Sequence, residues 1–395
     1  MSATNPSDVV NETTAISGCV IRYAKWEMTG QPNKGSRDAS VIRPTEGSMT
    51  VIDAIDHRST AKAIAREFAS YPLVVEPYSE DERDSLSMDL MDVSDSADQV
   101  HPQIKAAGAM YAAIETRLED QEHKDVNFKS DGATVASASF FQLKGVVDQL
   151  GLCVANCGDA KVILLRTGED VAEQLSTTHD PNASTEAERI QNLTKAAEAL
   201  KEIYNKDLQT HATTSLNICY LYDQLDFTPG YFGSDRDMRL TAQRLNPQPE
   251  PGQKRELSGH GTSPRLNYTR GFGCRELYPA FLPRPSVRVI KVIPGDIILV
   301  VSDGPESVMT GPIDDRFGEF MALLHEFHVR LLSQTTVVGN TAEWLVQELQ
   351  KRLIVLGDKK KNRRCGSYYL DDMTIVAAHV SAVDDMDSAA GTAIA

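Results

Sequence analysis

Apolar and polar positions along this chain follow two periods in uneven blocks: short alternating or continuous apolar runs bounded by Gly, Pro and Asx turns, and longer stretches with helical spacing. Gly18 to Trp26, Ala39 to Arg43 and Ser48 to Ile55 predict strands, with a turn over 31–35 after the first. Ser59 to Phe68 puts Ala61, Ile64, Ala65 and Phe68 on one face and predicts a helix. Pro102 to Gln121 does the same through Ile104, Ala107, Met110, Tyr111, Ile114 and Leu118. Strands are expected over Ala133 to Gln142, Val146 to Asn156 and Lys161 to Arg166, and a helix over Ser184 to Asp207, which opens on a hydroxyl cap and early acids suited to the helix dipole. Val287 to Val292 and Ile297 to Val301 return to strand around the turn Pro294-Gly295-Asp296. Helices over Phe317 to Leu332 and Thr341 to Leu356 and a closing strand over Met373 to Val380 complete the pattern.

Strands in runs, with helices in blocks and no regular alternation of the two, favour an α+β layered sandwich over a doubly wound sheet. No internal repeat is found. Residues 1–15 are polar and expected to be disordered, as is the small, acidic tail over 381–395. Between them 16–380 is expected to form one domain, interrupted by an acidic loop over 78–101 and a Pro- and Gly-rich flap or insertion over 222–268. The basic run from Lys359 to Arg364 is expected to be a solvated loop.

At 395 residues and 41% apolar content the chain has material for a sizeable core. Its net charge of -16 argues against nucleic acid or an anionic membrane as partner, since both are held mainly by clustered Lys and Arg. Six cysteines in so long a chain form neither a disulfide framework nor a CxxC zinc pair, so a reducing compartment is expected. No apolar run approaches the ~18 residues of a membrane span, and the first residues lack signal-peptide character. An intracellular protein, cytoplasmic or nuclear, is expected. His325 and His328 lie three apart on one predicted helix, but no Cys or third His accompanies them, and packing is the expected role.

Four apolar runs end or turn on aspartates: Thr50 to Ile52 on Asp53, Ile297 to Val301 followed by Ser302-Asp303-Gly304, Leu152 to Ala155 followed by Gly158-Asp159, and Asp371-Asp372 before Met373 to Val380. A strand rim gathering several carboxylates is unstable alone, because like charges ~4 Å apart repel by about 4 kcal/mol at an effective dielectric of 20. Hard divalent cations with a preference for oxygen ligands are the usual remedy.

The order and surroundings of these aspartates resemble the metal-dependent protein phosphatases, the type 2C serine/threonine phosphatases. That family ends a strand in V-F-D-G-H-G-G before a helix, and Val51-Ile52-Asp53-Ala54-Ile55-Asp56-His57 stands here in that place. Its G-S-T and A-N-x-G-D-S-R resemble Gly132-Ala133-Thr134 and Ala155-Asn156-Cys157-Gly158-Asp159-Ala160-Lys161. Its D-H-K-P and E-x-x-R-I are similar to His179-Asp180-Pro181 and Glu186 to Ile190; its S-R-A-L-G-D resembles Thr269 to Cys274. S-D-G-L-W-D and D-N-M-T-x-I-V appear as Ser302-Asp303-Gly304-Pro305-Glu306-Ser307 and Asp371-Asp372-Met373-Thr374-Ile375-Val376.

The resemblance implies a central β-sandwich of two antiparallel sheets flanked by helices, with a binuclear Mg²⁺ or Mn²⁺ centre at one end. There a metal-activated water would hydrolyse phosphoserine or phosphothreonine without a protein nucleophile. Asp53 would bridge the two ions, with the backbone carbonyl of Ala54 as a further ligand; Asp303 and Asp371 would complete the second site, Asp38 would act through water, and Asp159 would serve an auxiliary position. The implied partner is a phosphoprotein substrate, with scope for a regulatory protein, and a monomer is expected. Several family positions differ. Arg37 replaces the glutamate before Asp38, Ile55 the histidine often taken as general acid, Ser307 and Cys274 two further aspartates. His57 is the candidate acid, and Lys34 and Arg37 are candidates for binding substrate phosphate. These departures keep open a pseudophosphatase, a binding or regulatory module with little turnover.

Overall fold

The computed structural model describes residues 12–29, 36–55, 58–71, 102–120, 126–128, 131–144, 149–169, 171–180, 268–274, 281–312, 315–333, 340–363 and 370–383, with short pieces at 78–79, 85–89, 183, 185–186, 188–189, 244–245, 257–258 and 265–266. Its strands in chain order begin with β1 (Glu12–Ile16), β2 (Cys19–Met28), β3 (Asp38–Arg43), β4 (Ser48–Ala54), β5 (Tyr78–Ser79) and β6 (Ser85–Asp89). Then come β7 (Gly132–Lys144), β8 (Leu150–Cys157), β9 (Lys161–Leu165), β10 (Ala172–Gln174), β11 (Arg244–Leu245), β12 (Leu257–Ser258) and β13 (Arg265–Leu266). The last are β14 (Phe272–Gly273), β15 (Ser286–Val292), β16 (Ile297–Val301) and β17 (Met373–Ala382).

Two antiparallel sheets form the centre, in the orders β1-β2-β17-β16-β9-β10 and β3-β4-β7-β8-β15-β6. Their inward faces meet in an apolar layer that includes Ile21, Met49, Val51, Phe140, Leu152, Val162, Val300 and Val376. A strand buried on both faces reads as a continuous apolar run, as Ile297 to Val301 does. The helices Arg58–Ser70 and Pro102–Asp120 cover the outer face of the second sheet through Ile64, Phe68, Tyr111 and Ile114. The helices Arg316–Leu332 and Thr341–Arg363 cover the first through Phe320, Leu324, Leu345 and Leu349. The result is the expected α+β sandwich with helices on both outer faces.

Several boundaries differ from the sequence pattern. Glu12–Ile16, which begins inside the segment expected to be disordered, is the edge strand beside β2, with every residue from Glu12 to Ile16 in register with one from Tyr23 back to Cys19. β17 likewise runs to Ala382, beyond the expected end at 380, because Ser381 and Ala382 pair with Val20 and Cys19. Part of the acidic loop is a strand: Ser85–Asp89 pairs with β15, Ser85 opposite Ile290 and Asp89 opposite Ser286. In the flap, β11, β12 and β13 pair into a small sheet; the rest of it up to 267 lies outside the described residues, as does most of the helix expected over Ser184 to Asp207. Residues 359–363 of the expected basic loop are instead the end of a helix, in keeping with the helix propensity of Lys and Arg, and Arg364 lies outside the described residues. His328 is buried and His325 exposed, so these two do not form a ligand pair. No helix among the described residues is long and apolar enough to cross a membrane.

Candidate functional site

Ladder register brings the aspartates to one end of the sandwich. Asp38 opens β3 directly opposite Asp53 near the end of β4, and Asp53 in turn faces Thr134 on β7. Residues directly opposite in an antiparallel pair project to the same face, so both carboxylates leave the sheet together. On the other sheet, Val301 at the end of β16 pairs with Ile375, placing the Ser302-Asp303-Gly304 turn against the entry to β17. Ser302 N–H donates to the Thr374 carbonyl at 3.1 Å and Thr374 N–H to Ser302 Oγ at 3.0 Å, which locks Asp303 beside Asp371 and Asp372. Gly304 rests on the Asp372 backbone so closely that a Cβ would overlap its carbonyl oxygen. Gly304→Ala is therefore expected to push the Asp371-Asp372 segment away, costing about 1–3 kcal/mol by overpacking and any function of the rim. Chemical denaturation beside an activity assay checks this; a variant with wild-type stability and function refutes the contact.

The electrostatics are those of an anionic cluster only partly compensated by the chain's own cations. Burial, together with repulsion from Asp372 and Asp371, pushes Asp38 up to about 7. Asp53 is raised well above the carboxylate range by burial and by Asp38, Asp303, Asp371 and Asp159. Asp303 is raised by burial and by Asp159 and Asp371, against the pull of Lys161. Asp38 is 6% exposed, and its Oδ2 is buried with no hydrogen-bond partner. Such an atom costs free energy unless something meets it.

Two cations of the chain itself flank the cluster. The Arg37 main-chain N–H donates to Asp372 Oδ2 at 2.6 Å, and Nε reaches the same oxygen at 3.4 Å. One guanidinium nitrogen donates to Asp371 Oδ1 at 2.6 Å and the other to the Ile55 carbonyl at 2.8 Å. Asp371, although raised by burial, is pulled back by this arginine. On the opposite side the buried Lys161 ammonium pairs with Glu306, donates to the Asp159 carbonyl at 2.9 Å and lies 4.9 Å from the Phe317 ring centre. Burial would lower its pKa, but Glu306 and Asp159 outweigh that and raise it.

Asp38, Asp53, Asp303 and Asp371 are thus brought into one interacting group. Asp159 joins it from the β8–β9 turn through its charge. Ala54 ends β4, buried and opposite Ala133. Arg37, a candidate for substrate phosphate, turns its guanidinium to Asp371, Asp372 and the Ile55 carbonyl instead. Lys34 and His57 lie outside the described residues. Cys274, at the position of a family aspartate, is buried with a φ of 47°, its N–H bonded to the Asp131 carbonyl at 2.9 Å. The sequence pattern missed Lys161 and Glu306 as partners; the signal was a lysine opening an otherwise apolar strand, since a buried lysine needs a carboxylate.

The oxygen-only donor set, its surplus of negative charge and the orphaned Asp38 Oδ2 fit a hard divalent cation on the Asp38, Asp53 and Asp303 side. The Asp371 side is engaged by Arg37. Among the described residues, no three His, Cys, Asp or Glu side chains converge closely enough to grip an ion as they stand.

The sequence matches the family described as Protein phosphatase 2C over residues 80–210. Among solved structures, a serine-threonine phosphatase 2C from Toxoplasma gondii superposes with a TM-score of 0.55 at 15% identity, covering 94% of this chain and 98% of that one. A second phosphatase, from a pathogenic strain of Toxoplasma gondii, gives 0.54 at 11% identity over 93% and 95%. A C. elegans sex determining protein gives 0.50 at 14% identity, covering 91% of this chain and 64% of that one. No curated protein sequence matches the chain. The chain has the fold of the type 2C protein phosphatases.

Proposed function

We propose that the protein is a Mg²⁺- or Mn²⁺-dependent phosphoserine/phosphothreonine phosphatase with low turnover, acting on a phosphoprotein. The observation that supports this reading is the mutual repulsion of Asp38, Asp53, Asp303 and Asp371, which stand at the start of β3, near the end of β4 and at the facing ends of β16 and β17 without yet closing round an ion. Asp53, Asp303 and Asp38 would hold the cation. When bound, divalent ions supply charge for the phosphoryl oxygens and lower the pKa of a water. The protein's part is to hold that rim rigid, through the Ser302–Thr374 hydrogen bonds and the Gly304 contact, and to keep the auxiliary side neutralised through Lys161 and Glu306. Ile55 has no proton to give a leaving group, and that is the basis for low turnover.

The test is Mn²⁺-dependent phosphate release from a phosphothreonine peptide. Wild type is expected to show slow release that Asp303→Ala abolishes. No release at millimolar Mn²⁺ removes the hydrolase reading in favour of the second one, a pseudophosphatase that binds without turnover. The bond between Arg37 and Asp371, which engages a carboxylate the family resemblance gives to a metal, favours that second reading.

A further inference from the structure

We infer that the rim is a mixed centre, in which one divalent cation shares the carboxylates with the Arg37 guanidinium where the family resemblance implies two metal ions. This rests on the reading that the rim binds a hard cation at all. The two halves of the rim are chemically different. On one half, Arg37 is held by the Asp371 and Asp372 carboxylates and the Ile55 carbonyl, so that it ties the entry of β3, the exit of β4 and the entry of β17 together. The main-chain N–H of Arg37 shares Asp372 Oδ2 with its Nε, which fixes the backbone as well as the side chain. A guanidinium is a planar, permanently charged fork suited to carboxylates, and it is weakly hydrated enough to stay in a half-buried site.

On the other half, Asp38, Asp53 and Asp303 make no ion pair among the described residues. Asp38 is more than nine-tenths buried, projects from the sheet on the same face as Asp53, and has an oxygen without a partner. Arg37 thus neutralises one side of the rim, while on the other the flanking Lys161 is engaged by Glu306 and the Asp159 carbonyl and leaves the Asp38 oxygen unmet. An ion that used Asp371 would have to strip the arginine from it and leave a guanidinium without its carboxylates inside the site. The cost of an uncompensated charge in such surroundings opposes that exchange.

Native mass spectrometry and isothermal titration calorimetry of the full chain with Mn²⁺ alone test the assignment. One ion per wild-type chain is expected, two for Arg37→Glu, and no tight ion for Asp53→Asn. Two ions per wild-type chain, or an unchanged count in a folded Arg37→Glu variant, overturn the inference while leaving the hydrolase reading intact if phosphate is released. A wild-type chain that binds no ion overturns both. Should Arg37→Glu not fold, the wild-type count and the Arg37→Gln variant decide: one ion rising to two supports the mixed centre, and two in wild type refutes it.

Discussion

Arg270→Ala is expected to destabilise the protein by about 3–5 kcal/mol, the usual cost of breaking a buried ion pair from one side. Arg270 is 1% exposed and donates through Nε, at 2.9 Å, and a terminal nitrogen, at 2.5 Å, to Glu186 Oε1, while Arg189 and the Thr269 hydroxyl hold Oε2. Removing the guanidinium leaves Glu186, only 2% exposed, with half its compensation. The same network reaches the site, because Thr269 N–H donates to the His179 carbonyl at 2.9 Å and Gly158 N–H donates to His179 Nδ1 at 3.0 Å, beneath the turn that carries Asp159. Burial alone would raise the Glu186 carboxyl; Arg189 and Arg270 overcome it and hold the group below the ordinary range. Because its folded value is depressed, its stabilising contribution is present above the unfolded value near ~4.3 and is lost as pH falls from there toward the folded value. Urea unfolding at pH 7 and pH 3 measures both effects. A variant within about 1 kcal/mol of wild type at pH 7 contradicts the buried-pair argument.

The largest effect on function is expected from Asp53→Asn: complete loss of Mn²⁺-dependent phosphate release without loss of fold. The amide keeps the shape of the side chain while removing a carboxylate that repels Asp38, Asp303 and Asp371. In chelator the variant is therefore expected to melt no lower than wild type. Saturating Mn²⁺ is expected to raise the wild-type melting temperature by several degrees, since a ligand at a hundred times its Kd adds about 2.7 kcal/mol to the stability of the folded state. That rise disappears in the variant. A variant that melts well below wild type in chelator would make Asp53 a structural residue. An undiminished Mn²⁺ shift would show that the ion does not use Asp53.

Much of the fold was legible because burial imposes period. β16 reads as Ile-Ile-Leu-Val-Val because both of its faces are covered, and the helices Arg58–Ser70 and Arg316–Leu332 each show one apolar stripe because each covers one sheet. β1 and β6 were not legible. Each is an edge strand held by main-chain bonds to a single neighbour, and its side chains need not declare a pattern. At the site, the aspartates could be found from their places at strand ends and from the order of motifs. What Arg37 touches could not. Among its acceptors are a carbonyl on β4's exit and two carboxylates more than 300 residues along the chain, and only the pairing of β3 with β4 and the meeting of the two sheets brings them together.

β17 lies between β2 and β16, in the interior of its sheet. A nascent chain emerging from the ribosome therefore has β2 and β16 waiting with unpaired edges until residues 373–382 are made, and Asp371 and Asp372 arrive with that final insertion. Arg37 meets its carboxylates only then, so the site is assembled by the same event that completes the sheet, and a chain released early has neither.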